Sequence, residues 1–216
     1  MVSHSHFDHS LDAPEFARQT GARIVGSPST SVLARAAGIP ESQIVTIDGS
    51  GEVTAGAFRV RLLASRHGRA LFGRVPWPGE ITALDGWPVS ADRLREGGTF
   101  GVVIEHPLGT IVHHGSAGWR EGMYEGVHAD VVLLGLAGRG DTAALLDAVP
   151  GAVGAQRVVA MHFDDFLRAG GAVTFLPFVD FGGFVRSFER WKEARGQTAR
   201  LWTAPLGQAR VVFRAE

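Results

Sequence analysis

The sequence has no cysteine among its 216 residues, which excludes disulfide bonds and thiolate metal ligands. Lysine is almost absent, since Lys192 is the only one and arginine supplies the other basic side chains. The 21 basic and 22 acidic residues give a net charge of −1, and no basic cluster predicts a nucleic-acid partner. No apolar run reaches the roughly 18 residues of a membrane-spanning helix, and we expect a cytoplasmic protein. With 45% hydrophobic and 20% charged residues, the chain is expected to form a single globular domain over 1–216.

A dense group of metal-binding side chains stands at the start of the chain, in the pattern H-x-H-x-D-H. The pattern consists of His4, His6, Asp8 and His9. Imidazole nitrogens and carboxylate oxygens are the usual ligands of zinc-like ions. Alternate residues of an extended segment point to the same side, so His4 and His6 are expected to chelate together while Asp8 and His9 turn toward a second point. The motif therefore predicts a two-metal site that activates one water.

This motif resembles the signature of the metallo-β-lactamase superfamily of metallohydrolases. In that family it opens a helix, and further ligands follow strand ends downstream. Residues 60–68 predict a strand that ends at His67, and residues 157–164 predict another that ends at His162. The resemblance implies that His67 completes one metal site with His4 and His6, and that His162 completes the other with Asp8 and His9. It also implies a Zn²⁺ cofactor, one ion or two, with Mn²⁺ or Fe²⁺ as alternatives.

The resemblance runs from residue 3 to the end of the chain. It is closest to the branch that includes ascorbate-6-phosphate lactonase and N-acyl-phosphatidylethanolamine-hydrolysing phospholipase D. It implies an α/β fold, the four-layered αββα sandwich. Because only Met1 and Val2 precede the motif, we expect an N-terminally incomplete domain that lacks the N-terminal strands of the first sheet. A homo-oligomer would then cover the exposed sheet edge.

The family usually bridges its two metals with an aspartate that follows a strand. Ser116 stands at that place here, and a neutral hydroxyl is a weak ligand. Either His114 or His113 would compensate for it, although adjacent strand residues point to opposite faces. Asp141 also follows a glycine, but it precedes a predicted helix and is better explained as an N-cap.

Two loops are candidates for the substrate pocket. Residues 69–79 form an aromatic and proline-rich stretch after His67, and they include Trp77. The opposite wall would come from aromatic residues after His162, which are Phe178, Phe181 and Phe184. Such walls favour a small-molecule substrate with an apolar group, whereas Arg66 and Arg69 would hold a phosphate or carboxylate.

The mechanism that these residues predict is hydrolysis by metal-bound hydroxide, on an ester, lactone, phosphodiester or amide bond. Asp8 is the predicted catalytic residue, since it would position the nucleophile and take up its proton. Asp164 or Asp165 would orient a ligand histidine. The alternative is a catalytically weakened or inactive metal- or ligand-binding member of the same fold, or a truncated fragment of one.

The remaining pattern predicts alternating helices and strands. Helices are expected at 12–21, 29–37, 142–147 and 184–195. Strands are expected at 23–26, 44–47, 52–57, 58–63, 99–105, 110–114, 130–134, 158–161, 201–203 and 210–213.

Overall fold

The computed structural model describes residues 1–70, 72–168, 173–204 and 212–213. Its helices are α1 (Phe7–Ser10), α2 (Ala13–Thr20), α3 (Pro28–Ala36), α4 (Thr142–Leu146) and α5 (Phe181–Arg195). Its strands are β1 (Ile24–Gly26), β2 (Ile44–Thr46), β3 (Gly51–Ala55), β4 (Phe58–Ala64), β5 (Phe100–His106), β6 (Gly109–His114), β7 (Val131–Gly135), β8 (Arg157–Met161) and β9 (Arg200–Thr203). In these ranges no helix is both long and apolar enough to cross a bilayer.

The strands form two sheets of unequal size. The larger one has the order β3-β4-β5-β6-β7-β8-β9, antiparallel from β3 to β6 and parallel from β6 to β9. The smaller one pairs β1 with β2 in parallel. Strands that run in the same direction have their carboxyl ends at one edge of the sheet. The segments that follow β4, β6 and β8 therefore begin at the same edge.

Four layers result from how the sheets and helices pack. One face of the large sheet packs against α4 and α5, in a core that contains Val112, Leu134 and Phe184. The other face, at β4 and β5, packs on the small sheet through Val25 and Leu62. Helices α2 and α3 cover the outer side of the small sheet. The arrangement is the αββα sandwich that the sequence predicts, with a second sheet of two strands in the described part of the chain.

The inner face of β7, β8 and β9 carries apolar side chains beside a cavity of about 460 Å³. Leu133, Val159 and Trp202 are paired in register across the three strands, and Trp202 stays 39% exposed. The small sheet packs on β4 and β5, so this face of β7, β8 and β9 is left partly open in the part of the chain that the structure describes.

The local signals in the sequence explain most element boundaries. Gly21 ends α2 in a left-handed conformation with φ of 71°, a geometry that glycine adopts without strain. Asp141 caps α4 by accepting hydrogen bonds from the N–H groups of Ala143 and Ala144, as predicted. The predicted strand at 210–213 falls partly outside the described residues, and residues 212–213 are not in a strand.

Candidate metal centre and its cavity

The N-terminal motif is held between the two sheets by main-chain hydrogen bonds. The N–H of Val2 donates to the carbonyl of Val25 in β1, at 2.9 Å. The N–H of Phe100 in β5 donates to the carbonyl of Ser3, at 2.8 Å. These bonds fix the backbone that leads into His4, which is 1% exposed.

The second half of the motif lies on the short helix α1. His6 has an extended backbone and the chain turns helical at Phe7, so Asp8 and His9 lie on a helix whereas His4 and His6 precede it. Ser10 stabilises the turn because its hydroxyl donates to the carbonyls of Ser5 and His6. The helix explains how consecutive residues can serve two separate sites.

The first group of candidate ligands is His4, His6 and His67, which offer ring nitrogens within 4.8 Å of one another. Each imidazole has one nitrogen hydrogen-bonded to an oxygen, which orients the ring and leaves its other nitrogen available. The pairs are His4 Nδ1 with Ser3 Oγ at 3.2 Å, His6 Nε2 with the Pro76 carbonyl at 2.8 Å, and His67 Nδ1 with the Gly68 carbonyl at 2.6 Å. His4 Nε2 is buried and has no hydrogen-bond partner among the described residues.

The second group is Asp8, His9 and His162, which also offer ligand atoms within 4.8 Å of one another. Asp8 Oδ2 lies 3.1 Å from Nε2 of His162 and 3.4 Å from Nε2 of His9. His162 has a left-handed backbone with φ of 54°, which is uncommon outside glycine and is typical of functional sites. The two groups adjoin, since the ring centroids of His4 and His9 are 3.9 Å apart.

Burial keeps the first group uncharged. It lowers the pKa of His4 well below the usual value, and neighbouring His9 lowers it further. It also lowers the pKa of His6 and brings that of His67 to about 4. For Asp8, burial raises the pKa, but hydrogen bonds from His162 and His9 outweigh it and hold the pKa well below the usual range. Neutral imidazoles and an ionised carboxylate are the forms that bind metal ions.

These donors fit a zinc-like ion. The unpartnered Nε2 of His4 is a buried polar atom whose desolvation is unfavourable until a ligand pairs with it. The first group offers three nitrogens, and the second offers two nitrogens and one carboxylate. Such ligands suit Zn²⁺, Mn²⁺ or Fe²⁺, whereas a Ca²⁺ site would need more oxygen ligands.

Ser116 lines the cavity beside the two groups, and its hydroxyl accepts a hydrogen bond from the N–H of Gly68 at 2.9 Å. His114 does not reach this place. It points to the helix-covered face of the sheet, where Nδ1 is 2.9 Å from the Tyr124 hydroxyl. His113 points to the opposite face, and burial followed by the charge of His9 lowers its pKa to about 4. Of the two histidines, only His113 is directed to the motif's side of the sheet.

A cavity of about 330 Å³ opens next to the candidate ligands and has a largely apolar wall. His6, Asp8, His67, Ser116 and His162 form its polar part. The apolar part comprises Phe7, Ala70, Pro76, Trp77, Ala137, Gly138, Phe166, Leu167, Leu176, Pro177, Phe178 and Val179. Trp77 and Phe178 therefore line the cavity, and their role in substrate binding stays a prediction.

Other predicted pocket residues lie elsewhere. Arg66 and Arg69 are exposed and do not line the cavity. Phe184 is fully buried in the core below α5, because it continues the helix face that includes Phe188. Phe181 belongs to the same aromatic cluster and is also absent from the cavity wall.

Neither aspartate after His162 orients a ligand ring among the described contacts. Asp165 forms an ion pair with Arg168 at 3.1 Å and accepts the N–H of Leu167, so it stabilises the loop. Asp164 takes part in an isolated β-bridge with Phe175. The sequence does not identify Ser3 or the Pro76 carbonyl as partners of the histidines, because hydroxyls and carbonyls in loops carry no distinguishing pattern.

The chain is similar in sequence to several metal-dependent hydrolases of the group UPF0173. It is 30% identical over 171 residues to the one from Pyrobaculum aerophilum, covering 77% of this chain and 65% of that protein. It is 29% identical over 119 residues to the one from Pyrobaculum neutrophilum and 32% identical over 72 residues to the one from Chloroflexus aurantiacus. The chain spans 42% and 30% of the lengths of these two relatives. No known family profile matches the chain.

Two solved structures share the fold at low identity. The metallo-β-lactamase fold protein YhfI from Bacillus subtilis superposes with a TM-score of 0.53 and 16% identity, covering 94% of this chain and 72% of that one. CmlA, a diiron β-hydroxylase from Streptomyces venezuelae, superposes with a TM-score of 0.57 and 15% identity, covering 93% of this chain and 42% of that one. At these identities the likeness concerns the fold.

Proposed function

Because this chain has the metallo-β-lactamase fold and is similar in sequence to UPF0173 metal-dependent hydrolases, we propose that it is a metal-dependent hydrolase. The observation that supports the proposal best is the pair of ligand groups at one end of the cavity. The unpartnered Nε2 of His4 lies within the first of them. The proposed ligands of one ion are His4, His6 and His67, and those of the other are Asp8, His9 and His162.

When bound, one or two such ions would lower the pKa of a water toward neutrality and polarise the bond to be cleaved. Asp8 stays ionised at neutral pH, because His162 and His9 hydrogen-bond to its carboxylate. The carboxylate is therefore available to orient the attacking water and to accept its proton. The ring N–H groups of His6 and His67 donate to the carbonyls of Pro76 and Gly68, and these hydrogen bonds fix the orientation of both rings.

We propose Zn²⁺ as the metal, with Mn²⁺ and Fe²⁺ as alternatives, and we propose that one ion binds more tightly than the other. Ser116 supports this difference, since its hydroxyl is neutral and is already engaged by the N–H of Gly68. Such a group offsets the repulsion between two cations less than a carboxylate does. A weakened or inactive metal-binding protein is the alternative that Ser116 favours.

The proposed substrate is a small molecule that contains an ester, lactone or phosphodiester bond and an apolar group. The test is metal analysis of the purified chain together with initial rates on 4-nitrophenyl butyrate, a γ-lactone and bis(4-nitrophenyl) phosphate. We expect at least one ion per chain and turnover of at least one of the three compounds. Chelation is expected to abolish turnover, and added Zn²⁺ is expected to restore it.

His4→Ala and His67→Ala are expected to lose both the ion and the turnover, since each removes a nitrogen from a three-ligand set. The matched control is His128→Gln, because His128 is exposed and belongs to neither group. A chain that binds no metal would contradict the hydrolase proposal. Metal binding without turnover of any of these bonds would favour the inactive alternative.

We also propose that a second copy of the chain covers the open apolar face of β7, β8 and β9. Leu133 and Trp202 on that face support the proposal. Sedimentation velocity of the native chain and of Trp202→Glu tests it, and a dimer that dissociates in the variant is the expected result. The cytoplasmic location stays a prediction from the sequence.

A further inference from the structure

The cavity beside the candidate ligands has a small polar part and a larger apolar part. Three imidazoles and the Asp8 carboxylate belong to the polar part, whereas most of the wall is apolar and includes Phe7, Leu176 and Val179. Lysine and arginine do not contribute to this wall in the part of the chain that the structure describes. A charged end of a substrate chain that lies against the apolar wall would lose its hydration without gaining a counter-ion, so this part of the cavity disfavours it.

Apolar side chains also surround the entrance. Four residues that line the cavity remain exposed to solvent although they are large and hydrophobic. They are Trp77 at 40%, Phe166 at 42%, Leu167 at 71% and Phe178 at 94%. Exposed hydrophobic residues that cluster around a cavity often mark a binding surface, whereas exposed hydrophobic residues scattered singly do not. Two of these rings lie against the candidate ligands, since the ring centroids of Trp77 and His6 are 6.2 Å apart and those of Phe166 and His162 are 5.4 Å apart.

Two of these aromatic residues have a backbone that their side chains rarely adopt. Trp77 has φ of 35° and Phe178 has φ of 69°, both in the left-handed region. Bulky residues are rare in that region, and such outliers are enriched at binding and active sites. Trp77 and Phe178 come from different loops, and both line the same cavity.

The size of the cavity limits the group that it can take. A volume of about 330 Å³ corresponds to about eleven waters at ~30 Å³ each. Because a methylene group is about as large as a water, an acyl chain of roughly ten carbons or fewer fits within it. We propose that the cavity binds an uncharged, medium-length acyl chain and that the substrate is a neutral ester or lactone of such a chain. The substrate class rests on the proposed hydrolase function, whereas the preference of the wall for an apolar chain does not.

Binding can be measured without turnover by using ketones that mimic the ester but cannot be hydrolysed. Isothermal titration of the native chain would compare 2-hexanone, 2-decanone and 9-oxodecanoate, which ends the same chain in a carboxylate. Each methylene that leaves water tightens binding by up to about fourfold. We expect 2-decanone to bind at least tenfold more tightly than 2-hexanone and at least tenfold more tightly than 9-oxodecanoate.

Two variants test the wall itself. Phe166→Ser removes one exposed ring from the cavity wall. Phe178→Asn removes another, and asparagine is chosen there because it tolerates φ of 69°. Both are expected to weaken binding of 2-decanone by about threefold to tenfold and to leave 2-hexanone less affected. Phe58→Ser is the matched control, because Phe58 is 47% exposed on β4 and lies outside the cavity.

The two proposals fail separately. Equal affinity for the two ketones, or equal loss in the Phe58→Ser control, would overturn the acyl-chain proposal. Equal kcat/KM for 4-nitrophenyl butyrate and octanoate would also overturn it, while leaving the hydrolase proposal in place. Selective binding of 2-decanone by a chain that hydrolyses no ester would support the apolar wall and count against the hydrolase.

Discussion

The carboxylate of Asp8 lies 3.1 Å from Nε2 of His162, although the two residues are far apart in the sequence. Asp8 reaches this place from helix α1, and His162 reaches it from the end of strand β8. Their contact joins the N-terminal motif to the parallel half of the large sheet. It is also the contact that defines the second group of candidate ligands.

Replacing Asp8 tests this contact. Asp8→Asn keeps the size of the side chain but removes the charge that His162 and His9 share. We expect the chain to lose one ion and any hydrolytic rate to fall by at least about 100-fold. Metal analysis and initial rates measure the two effects. Asp12→Asn, a neighbouring acidic residue outside both groups, should change neither.

Replacing Ser116 tests why the second ion is expected to bind weakly. In Ser116→Asp a carboxylate stands beside both ligand groups and offsets the repulsion between two cations. We expect the metal content to rise from near one ion per chain to near two. Elemental analysis gives the count, and Ser116→Asn controls for side-chain size without charge. Two ions in the native chain would show that another residue supplies the bridge.

Gly118 leaves no room for a side chain beside the segment that carries His67. A Cβ atom there would lie 2.6 Å from the carbonyl oxygens of both Arg66 and His67. We expect Gly118→Ala to displace His67, to weaken metal binding at least tenfold and to lower the free energy of unfolding by about 1–3 kcal/mol. Competition with a chromogenic chelator measures the affinity. Gly140→Ala is the matched control, since a Cβ at Gly140 meets no atom within 4 Å.

The pair of His114 and Tyr124 predicts a loss of stability in acid. Burial lowers the pKa of His114 to about 4 in the folded chain, against about 6.5 when unfolded. The unfolded chain therefore binds more protons below pH 6.5, and stability falls as the pH decreases from about 6.5 to 4. This histidine contributes about 3 kcal/mol to that loss.

Urea unfolding of the metal-free chain at several pH values measures the effect. His114→Gln is expected to be less stable at pH 7, because it changes the contact with Tyr124 at 2.9 Å, but to lose less stability on acidification. His128→Gln should keep the native pH dependence, since His128 is exposed. An unchanged slope in His114→Gln would contradict the assignment.

Much of the fold is predictable from local signals in the sequence. Apolar runs that end in histidine predict β4 and β8 with the residues that follow them, and turn residues predict the hairpin of β5 and β6. The helix signals at Gly21 and Asp141 lie where α2 ends and α4 begins, whereas Asp12 precedes α2 without accepting a capping hydrogen bond. These predictions succeed because each depends on a few neighbouring residues.

The parts that fail depend on packing between distant elements. The face to which His114 points is decided by the register of β6 against β5 and β7, which no single strand specifies. Phe184 was predicted on the cavity wall, yet it shares the buried face of α5 with Phe188 and Trp191. The wall residues Phe166 and Leu176 lie in a loop without periodicity, so the sequence contains no signal for them.

The position of the N-terminal motif between the two sheets, beside ligands from distant parts of the chain, has a consequence for folding. A chain without cysteine has no covalent cross-link, but an ion held by His4 and His67, or by Asp8 and His162, would close long loops of the unfolded chain. Its binding free energy would then be added to the folding free energy, as in other structural metal sites. The bound metal would thus act as a reversible cross-link, and the free energy of unfolding would depend on the concentration of available metal.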